Sequence, residues 1–288
     1  MAITGIDVSQ HNGKIDWKKV KSAGIEFCII RAGYGRFAAQ KDALFDQNYD
    51  GCRENGIPCG AYWYSYATTV EQARQEAETC LSVLGDRHFD YPIYFDIEET
   101  CHEKLTQAQA SAICEEFCNA IESSGRWAGV YTYNGFTPKL SEEIKTRYAF
   151  WLADTRGGNA PNYKYPYGIW QYSWKGKVNG ITGDVDMNKC YVDYPASING
   201  EQPEQPEQPE QQEQPTAANI TNAMKLGTKG DEVRRLQNSL AEKGYYYYDK
   251  IDGDFGKKTY GAVLAFQKDN GLEIDGIAGH ATKKALGI

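Results

Sequence analysis

The sequence predicts an α/β fold, a modified TIM-like (β/α)5(β)3 barrel, followed by a small all-α domain of three helices. Three observations predict it. Apolar strand-like runs alternate with helix-period segments through five βα units, then continue as strands with little helix between them. Glycines punctuate the ends of four helical segments. A run of Glu, Gln and Pro then separates this part from a shorter stretch whose periodicity is helical alone.

The strands fall at Thr4–Ser9, Phe27–Tyr34, Cys59–Tyr66, Pro92–Glu98, Ala128–Asn134, Ala149–Asp154, Gly168–Ser173 and Asp184–Tyr191. Helices fit at Asp16–Ala23, Asp42–Asn55, Val70–Leu84, Gln107–Ser124 and Ser141–Thr146. Gly24, Gly56, Gly85 and Gly125 each stand just past a helix, where a left-handed cap needs glycine. Thr106 and Gln109 form a capping box for the fourth helix. A doubly wound open sheet is the rival arrangement. Against it, no Gly-x-Gly-x-x-Gly turn follows the first strand.

Residues 201–215 read EQPEQPEQPEQQEQP, with no apolar side chain to seed a core. The spacing of its prolines favours polyproline II, and its glutamates repel one another, so a stiff spacer is expected. At ~3.1 Å per residue it would span on the order of 45 Å. The chain therefore divides into a barrel at 1–198, a linker at 199–219 and a module at 220–288. Within the module, Asp252–Thr259 and Asp275–Thr282 both read D-G-x-x-G-x-x-T, each setting a turn before a short helix, Thr259–Asn270 and Ala281–Leu286. A preceding helix, Asp231–Lys243, places Val233, Leu236 and Leu240 on one face. So small a core suits binding better than catalysis.

The net charge of −8 argues against a nucleic-acid partner, which wants a basic stripe. No apolar run reaches the ~18 residues of a membrane span. The N-terminal Met-Ala-Ile-Thr-Gly-Ile-Asp shows neither the basic nor the apolar region of a secretory signal, which implies synthesis in a cytoplasm or a signal already removed. Eight cysteines all precede the spacer and none are paired as C-x-x-C, so reduced, buried thiols are expected.

The chemistry centres on Tyr91–Thr100. Residues i and i+2 share a strand face, so Asp96 and Glu98 point together while Phe95 and Ile97 point away. Two neighbouring carboxylates repel, and burial disfavours their ionisation. One is then held protonated near neutral pH beside an ionised partner, as an acid/base pair requires. A strand simply ending in solvent explains the pair equally well on its own. Asp7, ending the first strand, and Asp186, on the last, shift the balance. In a closed eight-strand barrel, strands one and eight are neighbours, so acids on strands one, four and eight can converge at the C-terminal mouth. Asp184 is two residues from Asp186 and is the alternative acid on that strand.

Tyr62, Tyr64 and Tyr66 on strand three, Tyr131 and Tyr133 on strand five, and Trp151, Trp170 and Tyr172 on strands six and seven supply aromatic surface for stacking on sugar rings, although any single one of them is more often plain core. Other catalytic classes lack parts. There are four histidines, with no H-E-x-x-H pattern, no G-x-S-x-G elbow, and only His11 near the acids, so neither a metal nor a cofactor is expected.

These residues resemble glycoside hydrolase family 25, the Chalaropsis-type lysozymes. The likeness runs over residues 4–192, through Gly5-Ile-Asp-Val-Ser-Gln-His-Asn12, Tyr94-Phe-Asp-Ile-Glu98, Trp151-Leu-Ala-Asp154, Trp170-Gln-Tyr172 and Val185-Asp-Met-Asn188. The resemblance implies a flattened barrel of five βα units plus three strands. It also implies cleavage of the β-1,4 bond between N-acetylmuramic acid and N-acetylglucosamine in bacterial peptidoglycan. Glu98 would be the general acid/base, and Asp96 would stabilise the charge developing at the reacting sugar. The substrate's own 2-acetamido group is considered the nucleophile in this family. Asp7 and Asp186 would orient that sugar, with Tyr62, Tyr64, Tyr133, Trp151, Asp154 and Gln171 binding substrate. Arg31 stands where some relatives carry lysine.

Residues 225–288 resemble a three-helix peptidoglycan-binding domain, through Gly230-Asp-Glu-Val-Arg-Arg-Leu-Gln237, the two repeated turns and Ala265-Phe-Gln267. An enzyme joined to a wall anchor looks like a phage endolysin working from the host cytoplasm on its wall. A bacterial autolysin and a non-catalytic wall-binding protein are the alternatives. An internal translation start at Met224 would release free modules able to associate with the full chain.

Overall fold

The computed structural model describes residues 2–158, 160–199, 223–246 and 251–288. The expected extended spacer lies outside the described residues. The chain divides into two compact units, 1–198 and 199–288.

In the first unit eight strands close a barrel in sequence order. They are β1 (Ile3–Val8), β2 (Phe27–Tyr34), β3 (Cys59–Tyr64), β4 (Ile93–Asp96), β5 (Ala128–Tyr133), β6 (Ala149–Ala153), β7 (Ile169–Gly176) and β8 (Val185–Cys190). Neighbours from β1 to β7 pair in parallel, whereas β8 runs antiparallel to both β7 and β1. The crossovers of the first five units carry α1 (Trp17–Ser22), α2 (Phe45–Glu54), α3 (Val70–Leu84), α4 (Gln107–Ser123) and α5 (Glu142–Arg147). The barrel form expected from the alternation is the one observed; an open sheet is excluded by the β1–β8 pairing.

Strand alternation sorts the side chains into two layers. On β2, Cys28, Ile30 and Ala32 face the helices and join the shell core, while Phe27, Ile29 and Arg31 point inward. Large rings fill the lower interior because two strands omit a Cβ there. A Cβ on Gly5 would stand 2.4 Å from the Phe27 ring, and one on Gly129 would stand 2.4 Å from Tyr94. Helix ends follow the sequence signals: Gly24, Gly56, Gly85 and Gly125 all have positive φ, and the Thr106–Gln109 capping box is formed.

Among the described residues no helix connects β6 to β7. A tyrosine-rich segment covers the strand instead, with Tyr163 stacked on Phe150 at 5.7 Å. Helix α6 (Tyr194–Asn199) was not expected from the sequence. Its Tyr194 ring packs 5.5 Å from Tyr91 and touches Gly168, closing the N-terminal end of the barrel.

The second unit holds α7 (Asp231–Glu242), α8 (Lys257–Asp269) and α9 (His280–Leu286). Its repeated turns have a common clamp. Gln237 Oε1 accepts from Gly253 N at 2.9 Å, and its Nε2 reaches Asp252 Oδ1 at 2.8 Å and Thr259 Oγ1 at 3.0 Å. Gln267 does the same to the second turn, with Gly276 N at 2.9 Å, Asp275 Oδ1 at 2.6 Å and Thr282 Oγ1 at 3.0 Å. The Asp, Gly and Thr of the motif are all partners of one buried amide, which also holds the backbone carbonyl of Asp254 or Ile277. Among the described residues, no helix is long and apolar enough to cross a membrane.

Candidate active site

The acids gather at the end of the barrel where the parallel strands finish. Asp7 on β1 stands opposite Asp186 on β8 in the antiparallel pair. Asp7 is 5% exposed, and its Oδ2 accepts from Asn188 Nδ2 at 2.7 Å and Gln171 Nε2 at 3.0 Å. Burial first, and then the Asp186 charge, push the Asp7 carboxyl well above the usual carboxylate range, and the two carboxyls share a hydrogen bond. Asp184 is separate from this group. It precedes β8, lies exposed and pairs with Lys177 at 2.6 Å, so the two last-strand acids do not share a face.

Asp96 ends β4 and is 3% exposed. Burial, followed by Glu98 and Asp7, raises its carboxyl well above the ordinary value, and Arg31 opposes that rise. Its Oδ1 is buried without a hydrogen-bond partner among the described residues. Glu98 lies just past the strand, not on it, because β4 leaves the sheet after Asp96; the side chain is partly exposed as a result. Burial pushes Glu98 up to about 7, against a hydrogen bond with Tyr131. The Tyr131 hydroxyl also donates to Gln171 Oε1 at 3.0 Å. With one proton it serves one acceptor at a time, so it gives to Gln171 while Glu98 is protonated and can turn to Glu98 once that is ionised.

Beneath the acids, Trp151 Nε1 donates to Asn188 Oδ1 at 2.8 Å, and the Trp151 ring packs 4.4 Å from Tyr131 and 6.0 Å from Tyr62. Tyr62, Trp151 and Gln171 thus belong to one network with the acids. Tyr64 and Tyr133 stand at the rim. The Tyr64 hydroxyl donates to Glu99 Oε2 at 2.9 Å, and Tyr133 is 36% exposed against Phe136. Asp154 is engaged elsewhere: Arg156 Nε and Nη2 hold it at 2.8 and 2.7 Å, and Asn134 Nδ2 at 2.7 Å. Those hydrogen bonds, Arg156 foremost, hold its carboxyl down at about 2. Both of its oxygens are occupied by the protein, which leaves little for a sugar.

Sequence reasoning counted Tyr131 only among the aromatics suited to stacking, and left Asn188 and Asp42 without a role at the site. Asn188 carried a signal, since it stands two residues from Asp186 on the same face. Asp42 carried none, because only the fold brings it to Arg31. Among the described residues no group of three or more His, Cys, Asp or Glu is placed to hold a metal ion.

Comparison with known proteins agrees with this geometry. A family model for glycosyl hydrolases family 25 matches residues 6–181, and one for a peptidoglycan binding domain matches residues 229–286. The autolytic lysozyme of Clostridium acetobutylicum is 27% identical over 286 residues, covering 98% of this chain and 78% of that protein. The crystal structure of the CTP1L endolysin is similar with a TM-score of 0.61 and 27% identity, covering 69% of this chain and 70% of that one. The bacterial lysozyme from Streptomyces coelicolor gives a TM-score of 0.62 at 28% identity, covering 70% of this chain and 99% of that one. With its acids assembled at the mouth of an eight-strand barrel, and a peptidoglycan binding domain following in the sequence, the chain belongs to glycosyl hydrolases family 25 and is a peptidoglycan hydrolase of the lysozyme type.

Proposed function

We propose that Glu98 and Asp96 together cleave the β-1,4 bond from N-acetylmuramic acid to N-acetylglucosamine. The observation that carries this is the pairing of a partly exposed carboxyl raised to about 7 with a buried carboxyl two residues away. Glu98 gives its proton to the glycosidic oxygen as that bond breaks, then takes one from the incoming water. Asp96, deeper than Glu98, is badly placed to attack the sugar. That depth supports a reading in which the substrate's acetamido oxygen attacks the anomeric carbon while Asp96 offsets the positive charge. Asp7 and Asp186 share one proton and present a single negative charge to the same sugar.

Digestion of purified walls should release new reducing ends carrying muramic acid, with no new free amines. Reducing ends on glucosamine would assign the neighbouring bond instead. Glu98→Gln should cost about 10²–10⁴-fold in rate and leave wall binding intact.

The biological setting we read as host lysis by a phage endolysin, with an autolysin as the alternative. Expressed inside its host, the chain should lyse cells only once the inner membrane is breached. In the CTP1L endolysin, activity is regulated by a secondary translation product. Here Met224 pairs with Ala278 inside the second unit, so a product starting there would keep that bridge and could associate through the module. A single full-length species by mass spectrometry would dispose of that idea.

A further inference from the structure

Arg31 points into the barrel from β2, in register with Tyr62 on β3, whose next inward residue, Tyr64, is in register with Asp96 on β4. The guanidinium is held from behind. Asp42, fully buried, accepts from Arg31 Nε at 2.7 Å and also from the backbone of Gln10 at 3.0 Å and Leu44 at 3.0 Å. A planar guanidinium fixed at Nε has its remaining N–H groups aimed by that bond. Arg31 Nη2 is buried and unpartnered among the described residues, and so is Asp96 Oδ1. One is a donor with a positive charge, the other an acceptor with a negative one. Each is costly to leave alone, and the two are complementary in charge and in hydrogen-bonding sense.

We infer that Arg31 is a positioning residue that acts on Asp96 through its charge and one bridging water, and keeps that carboxylate oriented and anionic among the other acids. It rests on the reading of Asp96 as the charge-stabilising anion. Asp96 is faced by Glu98 and Glu99 beyond its own strand, Asp7 from β1, Tyr62 and Tyr64 from β3, and Tyr131 from β5. Every one of these is acidic or neutral. Arg31 in turn is faced by Asp42, and by the rings of Tyr34 and Tyr62. The cation is buried behind the acids and does not need to touch the sugar to act. Its role is to oppose the rise that burial and the neighbouring acids impose on the Asp96 carboxyl.

The test measures Asp96 ionisation directly, by carboxyl-carbon NMR titration of the full chain, beside pH–rate profiles on wall fragments. Arg31→Gln should raise the Asp96 midpoint by about one pH unit, making the rate about tenfold lower along the acidic limb. KM should hardly change. Asp42→Asn unmasks the guanidinium, so it should move the midpoint the opposite way, downward. A merely structural Arg31–Asp42 pair would lower thermal stability in both variants and leave the midpoint where it was, which overturns the inference. If the midpoint moves but the acidic limb does not, Arg31 governs Asp96 and it is the charge role of Asp96 that fails. If Arg31→Gln does not fold, the downward shift in Asp42→Asn decides alone: its absence sinks the inference.

Discussion

With Glu98 as the proposed acid, its hydrogen bond with Tyr131 has consequences for pH. Glu98 must be protonated to act as the acid, and burial holds that proton up to about 7. Turnover should therefore fall with a basic limb near pH 7, read from kcat/KM against pH. Tyr131 favours the ionised form, so Tyr131→Phe should move that limb upward while lowering the maximal rate. A limb that stays in place would mean that the phenol serves Gln171 alone. At this scale the sequence brought Asp96 and Glu98 together by strand parity, and Asp7 and Asp186 by the adjacency of the first and last strands in a closed barrel. Parity could not show that Asp154 is occupied by Arg156, two residues on, or that Tyr131 bridges Glu98 and Gln171. Such pairings depend on side-chain reach across strands.

At the scale of elements, strands and helices were legible because period and capping are local. Val70–Leu84 is observed with the bounds its pattern predicts, and the fourth helix begins at its capping box. Ends of strands were less legible. The Pro92–Glu98 run looks like continuous strand, but pairing stops at Asp96, and that is decided by neighbours β3 and β5. Helix α6 escaped notice because a six-residue segment has too little periodicity to declare itself. The repeated turns of the second unit were seen as a motif, yet their reason was the remote amide of Gln237 or Gln267. Gln237→Leu leaves the turn's donors and acceptors unmet in a buried place, so it should destabilise the module by about 1–3 kcal/mol, checked by thermal unfolding of the full chain. Gln267→Leu should cost a similar amount, since its partners are equivalent.

For the molecule as a whole, buried acids make stability depend on pH. Glu76 is 2% exposed on α3, and burial raises its carboxyl to about 7 from an ordinary 4.5, as it does for Glu98. A carboxyl raised on folding contributes stability that is full below about 4.5 and is lost as pH rises through about 7. His102, which burial holds down to about 4, works the other way below its ordinary 6.5. The decline should run from about pH 4.5 to 7 and flatten above that; His102 opposes it below about 6.5, so melting temperatures are expected to fall most plainly between about pH 6 and 7. Glu76→Gln should flatten that slope; an unchanged slope would show that other groups control it.

The antiparallel seam has a temporal meaning too. Asp7 receives its hydrogen bond from Asn188, 181 positions later in the chain, on the strand that arrives last. A ribosome must deliver β8 before the first strand's acid acquires its partners, and so distant a pairing closes slowly. Nascent chains and fragments clipped ahead of β8 hold Asp96 and Glu98 but lack Asp186, so under the proposed roles competence to cut is expected only with completion of the ring.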